Sequence, residues 1–529
     1  MPNSALVLRN ARCWTGDRSA PWADVALVEQ GRFSFVGREA DATLPTGVDV
    51  LDGNGRLVVP GFIDGHAHLL NTGMAMSSVN LKDASSVEEA SQRVAERAAQ
   101  TLRGAWIRGA GWDQHAWTDA RFPHRRELDA VVRDTPVVLI HTSGHCVWVN
   151  SAALGIAGVT HDTESPAGGE IERDEHGEPT GILLDNAMPL IYKAMPPTTQ
   201  DDRLIATRRA IDHAHALGVT GAHAMDVGRG ELSALRTLQE RGDLRFRTRA
   251  FLSATRLEEW LGTTRTGDGE EMLRIGGVKF FSDGALGSLT AWLLEPYEGS
   301  DDAGLPLVLP DELEQQVRAC LEAGLAPAIH AIGDRANREV LDLLERIRDL
   351  APELPRRIEH AQLLSQDDIP RFGRLGVTAS VQPIHATQDM RKVDACWGER
   401  GRWAYAFASL RASGANLAFG SDSPVETMDP LAGLHAAVTR RKADEESADG
   451  WYPGECLSLE TALAAYTTGC VRATSEEASV GKITPGYHAD FVVLSEDITT
   501  LGDPMHILDA RVDLTVVGGE VVYRREEAW

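Results

Sequence analysis

The sequence predicts an α/β fold: a TIM-like (β/α)8 barrel with a small β-sandwich domain built from both termini and an inserted lobe. Strand-like runs alternate with helix-like runs through the middle of the chain, both ends are rich in short β segments, and one connection is too long for a crossover helix. A barrel takes roughly 250 residues. The 529 residues of this chain therefore leave room for additional domains.

Both ends of the chain have the pattern of short strands separated by turns. The N-terminal segments are SALVLRNARCW, ADVALVEQGRFSFVG and VDVLDGNGRLVVPG, and HADFVVLSED and VDLTVVGGEVVYRR lie near the C-terminus. The last of these has Gly-Gly at a hairpin turn between alternating apolar residues. We expect residues 1–60 and 481–529 to form one β domain, with the barrel, residues 61–480, inserted into it.

Eight segments of the central region are candidate barrel strands: VVPGFIDGH, VTGAHAMD, RFRTRAFL, GGVKFF, APAIHAI, RRIEHA, VTASVQP and LAFGSD. Amphipathic segments such as DELEQQVRACLEAGL and ANREVLDLLERIRDL separate several of them. Strands that alternate with amphipathic helices indicate a parallel sheet, and eight such units favour a closed barrel.

The stretch from about residue 75 to 205 is too long for a single crossover helix, and we interpret it as an inserted lobe. It contains GAGWDQHAW and IHTSGHCVWVNSAAL, which combine tryptophan with polar side chains. Such mixtures line pockets for largely apolar organic molecules. Trp112, His145 and Trp148 are therefore candidate substrate contacts, as is His385 in the barrel; ordinary packing is the competing explanation for each.

Six residues at or near the ends of strand-like runs carry metal-binding groups. They are His66, His68, Lys279, His330, His360 and Asp422. Side chains two positions apart on a strand project from the same face, so the two histidines of GHAH can bind one ion together. Imidazole and carboxylate ligands suit zinc, and also iron, nickel or cobalt. The carboxyl ends of barrel strands are where barrel enzymes place their active sites.

Each of these residues also has a purely structural explanation. An isolated histidine such as His330 is usually hydrogen-bonded in a core or on a surface, but its place in an ordered set of six favours metal binding. Lys279 lies in the apolar run GGVKFF, where a buried ammonium group is costly. Asp422 in GSDSP could cap the following helix.

Composition excludes several classes of partner. Lys and Arg total 52 against 78 Asp and Glu, and the net charge of −26 argues against nucleic acid. No apolar run approaches the roughly 20 residues that span a bilayer, and the N-terminal segment has no secretory pattern, so we expect a cytoplasmic protein without membrane contacts. The six cysteines are scattered without C-x-x-C pairs. A homodimer is the default assembly.

The motifs PGFIDGHAH, VKFFSDG, HAIGDRA, RIEHAQ and GSDSP resemble those of the amidohydrolase superfamily. Together with GWDQ, SGH-x-x-WVNSAAL and ASVQP-x-H, the sequence is similar to amidohydrolase family 3, which includes N-substituted formamide deformylase-like proteins. The resemblance covers nearly the whole chain. Any one of these motifs is weak, but six in the correct order are strongly specific.

The resemblance implies a small-molecule hydrolase with one or two divalent metals. His66, His68 and Asp422 would hold one Zn²⁺, His330 and His360 the other, and a carboxylated Lys279 would bridge them. A metal-activated hydroxide would then cleave a nonpeptide C–N bond, most simply that of an N-substituted amide or formamide, while Asp422 moves the proton to the departing nitrogen.

Two alternatives remain open from the sequence. In the first, a single metal is held by His66, His68, His330 and Asp422, His360 positions water or substrate, Lys279 is unmodified, and the enzyme is a deaminase of a cyclic amidine. In the second, the barrel is a catalytically inactive scaffold. All six ligand positions are filled, which argues against the second alternative.

Overall fold

The structure is a computed structural model that describes residues 5–101, 104–117, 120–444 and 449–526. Numbered in chain order, its strands are β1 (Leu6–Arg9), β2 (Arg12–Trp14), β3 (Trp22–Ala23), β4 (Val25–Glu29), β5 (Arg32–Gly37), β6 (Asp49–Asp52), β7 (Leu57–Pro60), β8 (Phe62–Ala67), β9 (Val79–Asn80), β10 (Ile107–Trp112), β11 (Val137–His141), β12 (Cys146–Val149), β13 (Gly169–Arg173), β14 (Pro179–Asp185), β15 (Val219–Val227), β16 (Arg247–Ser253), β17 (Leu273–Phe281), β18 (Pro327–Ala331), β19 (Arg357–His360), β20 (Thr378–Val381), β21 (Leu417–Phe419), β22 (Phe491–Leu494), β23 (Val512–Val517) and β24 (Glu520–Arg524).

The α-helices are α1 (Leu69–Ala75), α2 (Val87–Ala98), α3 (Arg125–Val131), α4 (Ser151–Ala157), α5 (Met188–Tyr192), α6 (Gln200–Ala216), α7 (Arg229–Glu240), α8 (Leu257–Trp260), α9 (Pro310–Glu322), α10 (Asp334–Arg346), α11 (Ile369–Leu375), α12 (Pro383–Trp397), α13 (Phe407–Ala412), α14 (Pro430–Thr439), α15 (Leu459–Ala465) and α16 (Thr468–Arg472). No helix in the described ranges combines the length and apolar composition needed to cross a bilayer.

The predicted TIM-like barrel is confirmed by an eight-stranded sheet in the order β8, β15, β16, β17, β18, β19, β20, β21. Each neighbouring pair along this order is parallel. Strands β21 and β8 meet at a seam, where the Asp422 amide donates to the His66 carbonyl at 2.7 Å and the His68 amide donates to the Ser423 carbonyl at 2.9 Å. The sheet is therefore nearly closed, and its seam lies at the carboxyl ends of the first and last strands.

Helices cover the outside of the barrel because one face of each is apolar. Helix α9 buries Leu313, Val317 and Leu321, which recur every four residues and so lie on one face. Both α9 and α10 contact β18. The strands beneath are buried on both faces, as every residue of β16 illustrates, which is typical of parallel sheets covered by helices.

The two chain ends together build a pair of sheets. One has the order β5, β4, β1, β6, and the other the order β24, β23, β22, β7, β2, β3. In the second sheet the C-terminal β22 pairs antiparallel with the N-terminal β7, with Phe491 opposite Pro60 and Val493 opposite Val58. One hydrophobic core includes residues of both sheets, among them Leu8, Val58 and Phe491.

The chain divides into two compact units, residues 1–69 with 207–529 and residues 70–206. The second unit contains the sheet β13, β14, β12, β11, β10, β9. Its core is rich in tryptophan, with the rings of Trp112 and Trp148 6.2 Å apart between centroids. The domain boundaries given above from the sequence stay predictions.

Candidate metal centre

The end of strand β8 carries His66 and His68 toward the carboxylate of Asp422. The Nε2 atoms of the two histidines lie 3.4 and 3.3 Å from Asp422 Oδ1. Asp422 follows β21 in a left-handed backbone conformation with φ of +59°. One ligand atom from each of these three residues lies within 4.8 Å of the other two. The seam of the barrel therefore brings together three residues that could hold one ion.

A second set of three residues meets at the same carboxylate. It consists of His360, His385 and Asp422, whose ligand atoms also lie within 4.8 Å of one another. His360 ends β19 with φ of +72°. His385 is in the first turn of α12, directly after β20. Among the described residues, these two trios are the sets of three His, Cys, Asp or Glu side chains that are close enough to hold a metal.

Three buried histidines each hydrogen-bond to an oxygen acceptor through one ring nitrogen. The Nδ1 atom of His66 donates to Glu359 Oε2 at 2.7 Å, and the Nδ1 atom of His360 donates to Gln382 Oε1 at 2.8 Å. The Nε2 atom of His330 donates to the Gly284 carbonyl at 2.8 Å. All three acceptors are oxygens that only accept. The remaining nitrogens are Nε2 of His66 and His360 and Nδ1 of His330, and these are the atoms through which the rings could bind a metal once they carry no proton.

Burial reinforces the neutral form of two of these rings. It lowers the pKa of His330 to about 3, with the nearby Lys279 charge acting in the same direction. It also lowers the pKa of His360 well below the ordinary value. At His66, burial and Lys279 also lower the pKa, but the Asp422 and Glu359 carboxylates outweigh them and raise it. This set of imidazole nitrogens and carboxylate oxygens fits a divalent cation, whose binding would release any proton that the rings carry.

Lys279 is almost fully buried at 1% exposure on β17. Burial lowers its pKa to about 8, although the Glu359 and Asp422 carboxylates oppose the shift. Its Nζ atom lies 4.9 Å from the centre of the Phe281 ring. The side chain is therefore held in the barrel interior, with an amine that loses its proton more readily than a surface lysine does.

Two buried aspartates hold the loops around the site. Asp64 accepts hydrogen bonds from the His66 amide at 3.0 Å and from the amide and hydroxyl of Ser421 at 3.0 and 2.5 Å. It thus joins β8 to the segment that leads to Asp422. Asp283 accepts from the amides of Trp292, Ile332 and Gly333 at 2.9 to 3.0 Å, which fixes the loop after β18.

Sequence reasoning missed Glu359 and Arg357, which form a fully buried ion pair. The Nε atom of Arg357 donates to Glu359 Oε1 at 2.5 Å. Arg357 also donates to the Gly65 carbonyl at 2.6 Å and to the Ser380 hydroxyl at 2.7 Å. Burial raises the pKa of Glu359, but Arg357 and His66 hold it well below the ordinary value. Two charged residues, Arg357 and Glu359, in the short strand RIEH were the available signal.

The remaining predicted substrate contacts lie in the unit of residues 70–206. Trp112 and Trp148 are fully buried in its core, and Trp112 Nε1 donates to the Leu139 carbonyl at 2.9 Å. The His145 side chain is 78% exposed and lies 2.8 Å from the Asp185 carboxylate. The structure places His385 beside metal-binding side chains of the first unit, and substrate contact by Trp112, His145 and Trp148 stays a prediction.

The chain is similar to known proteins over most of its length. The model of the amidohydrolase family matches residues 49–523. The putative amidohydrolase YtcJ of Bacillus subtilis is 34% identical over 481 residues, which cover 89% of this chain and 90% of the relative. The N-substituted formamide deformylase of Arthrobacter pascens is 28% identical over 543 residues, 98% of each chain.

A solved structure has the same fold. An uncharacterized metal-dependent hydrolase from Pyrococcus horikoshii superimposes with a TM-score of 0.80 at 30% identity and covers 94% of this chain and 99% of its own. Its counterpart from Pyrococcus furiosus gives a TM-score of 0.77 at 31% identity, with coverage of 93% and 99%.

Proposed function

Because the chain belongs to the amidohydrolase family and is a metal-dependent hydrolase of nonpeptide carbon–nitrogen bonds, we propose that it cleaves an N-substituted amide or formamide. The observation that carries the proposal is the cluster of imidazoles near Asp422, in which His66, His360 and His330 are each held by a hydrogen bond to one ring nitrogen and have the other nitrogen for a metal. Similarity to a formamide deformylase over 98% of the chain supports this choice of substrate class.

We propose that two zinc ions bind at this centre. His66, His68 and Asp422 would hold one ion, and His330 and His360 the other. Nitrogen ligands with one carboxylate favour zinc over magnesium or calcium. Bound zinc polarises an amide carbonyl and lowers the pKa of a coordinated water toward neutrality. The deeply buried imidazoles would keep the ions in a low-dielectric environment, which strengthens that effect.

Lys279 would bridge the two ions as a carbamate formed from its amine and carbon dioxide. Carboxylation requires the uncharged amine, and the lowered pKa of Lys279 increases the fraction of that form at neutral pH. The product is an anion, which suits a buried position between cations better than an ammonium group does.

Asp422 would move the proton during hydrolysis. Burial raises its pKa, but His66 and His68 outweigh burial and hold the pKa well below the ordinary value, so the carboxylate is ionised and able to accept a proton. Cleavage of an amide requires a proton on the departing nitrogen, because an amide anion is a poor leaving group. A carboxylate that first takes the proton of water and then delivers it to nitrogen meets this requirement.

The test is turnover by zinc-loaded protein on a matched panel of N-benzylformamide, N-butylformamide and N-benzylacetamide. We expect amine release with at least one of them, and loss of about 10²–10⁴-fold in kcat in the Asp422→Asn variant. Release of ammonia from a cyclic amidine, without amide cleavage, would identify the deaminase alternative. A protein with two zinc ions per chain that cleaves no member of the panel would refute the proposed substrate class.

A further inference from the structure

His385 occupies a position between two residues that sequence reasoning assigned to the metal centre. Its helix α12 begins directly after β20, which lies between β19 and β21 in the barrel sheet. Strand β19 ends with His360, and β21 leads to Asp422. Around the barrel mouth, the first turn of α12 therefore brings the imidazole of His385 between those two ligand groups, within 4.8 Å of both.

The Nε2 atom of His385 is buried and has no hydrogen-bond partner among the described residues. A buried ring nitrogen without a partner is unfavourable, because it has lost its hydrogen bond to water without a replacement. A histidine that has such an atom, and whose ring lies close to another imidazole and to a carboxylate, has the surroundings of a metal ligand.

The segment that presents His385 also orients His360. Gln382 accepts the hydrogen bond from His360 Nδ1 through its side chain, and its backbone carbonyl accepts from the His385 amide at 3.1 Å. Four residues of chain thus fix the tautomer of one imidazole and the position of the other. Metal-binding histidines are typically oriented by hydrogen bonds between neighbouring residues and the ring nitrogen that does not bind the metal.

We propose that His385 is a ligand of the second metal ion, together with His360 and Asp422. The inference rests on the metal dependence in the proposed function and changes the role that the sequence suggested for His385, which was contact with substrate. Asp422 then belongs to both trios and links the two ions. With His330 and His360 from the proposed function, the second ion would have four protein ligands, so its binding does not depend entirely on carboxylation of Lys279.

The experiment compares zinc content and zinc affinity in wild-type protein and in His385→Phe, which keeps an aromatic ring without ring nitrogens. His176→Phe, on a side chain that is 74% exposed, is the matched control. After dialysis against buffered free zinc, we expect two ions per chain in wild type and control, and one in His385→Phe. Equal zinc content in all three, with a raised KM in His385→Phe, would assign His385 to substrate binding and overturn the inference.

A second measurement does not require the variant to fold. Zinc-edge anomalous difference maps from crystals of the wild-type protein should show a peak within bonding distance, about 2.0–2.1 Å, of a His385 ring nitrogen. A peak bonded to His360 but remote from His385 would overturn the inference. Turnover of amides by wild type tests the proposed function separately, so bound zinc on His385 without amide cleavage would refute only the substrate class.

Discussion

The Nδ1 atom of His66 donates a hydrogen bond of 2.7 Å to Glu359 in the barrel interior, where the two side chains are 1% and 0% exposed. His66 lies on β8 and Glu359 on β19, two strands that are not neighbours in the barrel sheet. A metal-binding group of one strand is therefore oriented by a residue of a distant strand. The carboxylate is in turn held by Arg357. This chain of contacts joins the first ligand motif of the sequence to a buried ion pair.

We predict that Glu359→Gln weakens zinc binding by about 10–100-fold, because a carboxylate that orients a ligand histidine contributes that much to metal affinity. The free energy of unfolding should fall by about 3–5 kcal/mol, because Arg357 would remain buried without its countercharge. Chelator competition and denaturant unfolding measure the two effects. Glu175→Gln, at an 87% exposed position, is the control. Lower stability with unchanged zinc affinity would limit Glu359 to a role in folding.

The second prediction concerns the covalent state of Lys279. Protein prepared with isotope-labelled bicarbonate should give one carbamate signal by NMR, and Lys279→Arg should give none, because the guanidinium group stays protonated. The signal should weaken as the pH falls below about 8, since burial lowers the lysine pKa to about that value and protonation removes the reactive amine. A zinc-loaded wild-type protein without any carbamate signal would exclude the bridge.

Acid stability should depend on the ion pair between Arg247 and Asp490, which joins barrel strand β16 to the terminal β domain. Arg247 donates from Nε and Nη2 to the two carboxylate oxygens at 2.5 and 2.9 Å. Burial raises the pKa of Asp490, but Arg247 outweighs burial and lowers it. A depressed folded-state pKa contributes stability that is complete above the unfolded value of about 3.9 and is lost as the pH falls through the folded value.

We therefore expect the unfolding free energy to decline below about pH 4, and Asp490→Asn to reduce it by about 3–5 kcal/mol at pH 7 by leaving Arg247 unpaired. The variant should lose less stability than wild type on acidification. Urea unfolding at several pH values measures both quantities. Parallel curves for the two proteins would mean that other carboxylates govern the acid response.

The fourth prediction tests the close approach of strands at the barrel seam. A Cβ atom on Gly420 would lie 2.4 Å from the His66 amide nitrogen and 3.0 Å from Asp64 Oδ1. Gly420→Ala should therefore separate β21 from β8, with a loss of about 1–3 kcal/mol in stability and weaker zinc binding. Gly454→Ala, where a Cβ meets nothing within 4 Å, should leave both unchanged. Equal behaviour of the two variants would contradict a tight seam.

The barrel could be predicted because its signals are local. Runs such as RFRTRAFL and VTASVQP have the length and the β-branched or aromatic residues of a strand, and they correspond to β16 and β20. The segment VVPGFIDGH looked like one strand but contains the end of β7 and all but the last residue of β8, which belong to different sheets. The chain changes sheets at Gly61, where a Cβ atom would collide with Thr220.

The surroundings of the ligands could not be predicted, because they depend on contacts between distant segments. Spacing within GHAH was enough to pair His66 with His68, but no local pattern shows that Glu359 lies behind the first of them. The same holds for Asp64 and Ser421, which meet only when β8 and β21 are neighbours. The sequence makes His385 a candidate substrate contact. Its closeness to His360 depends on where α12 begins, which no local pattern shows.

The seam between β8 and β21 has a consequence for the synthesis of the protein. His66 and His68 leave the ribosome early, whereas Asp422 follows only after most of the chain has been translated. The Asp422 amide and the His66 carbonyl then form one of the bonds that join the last strand to the first. A nascent or truncated chain consequently lacks the carboxylate shared by both trios, and acquisition of metal becomes a late event that follows completion of the barrel.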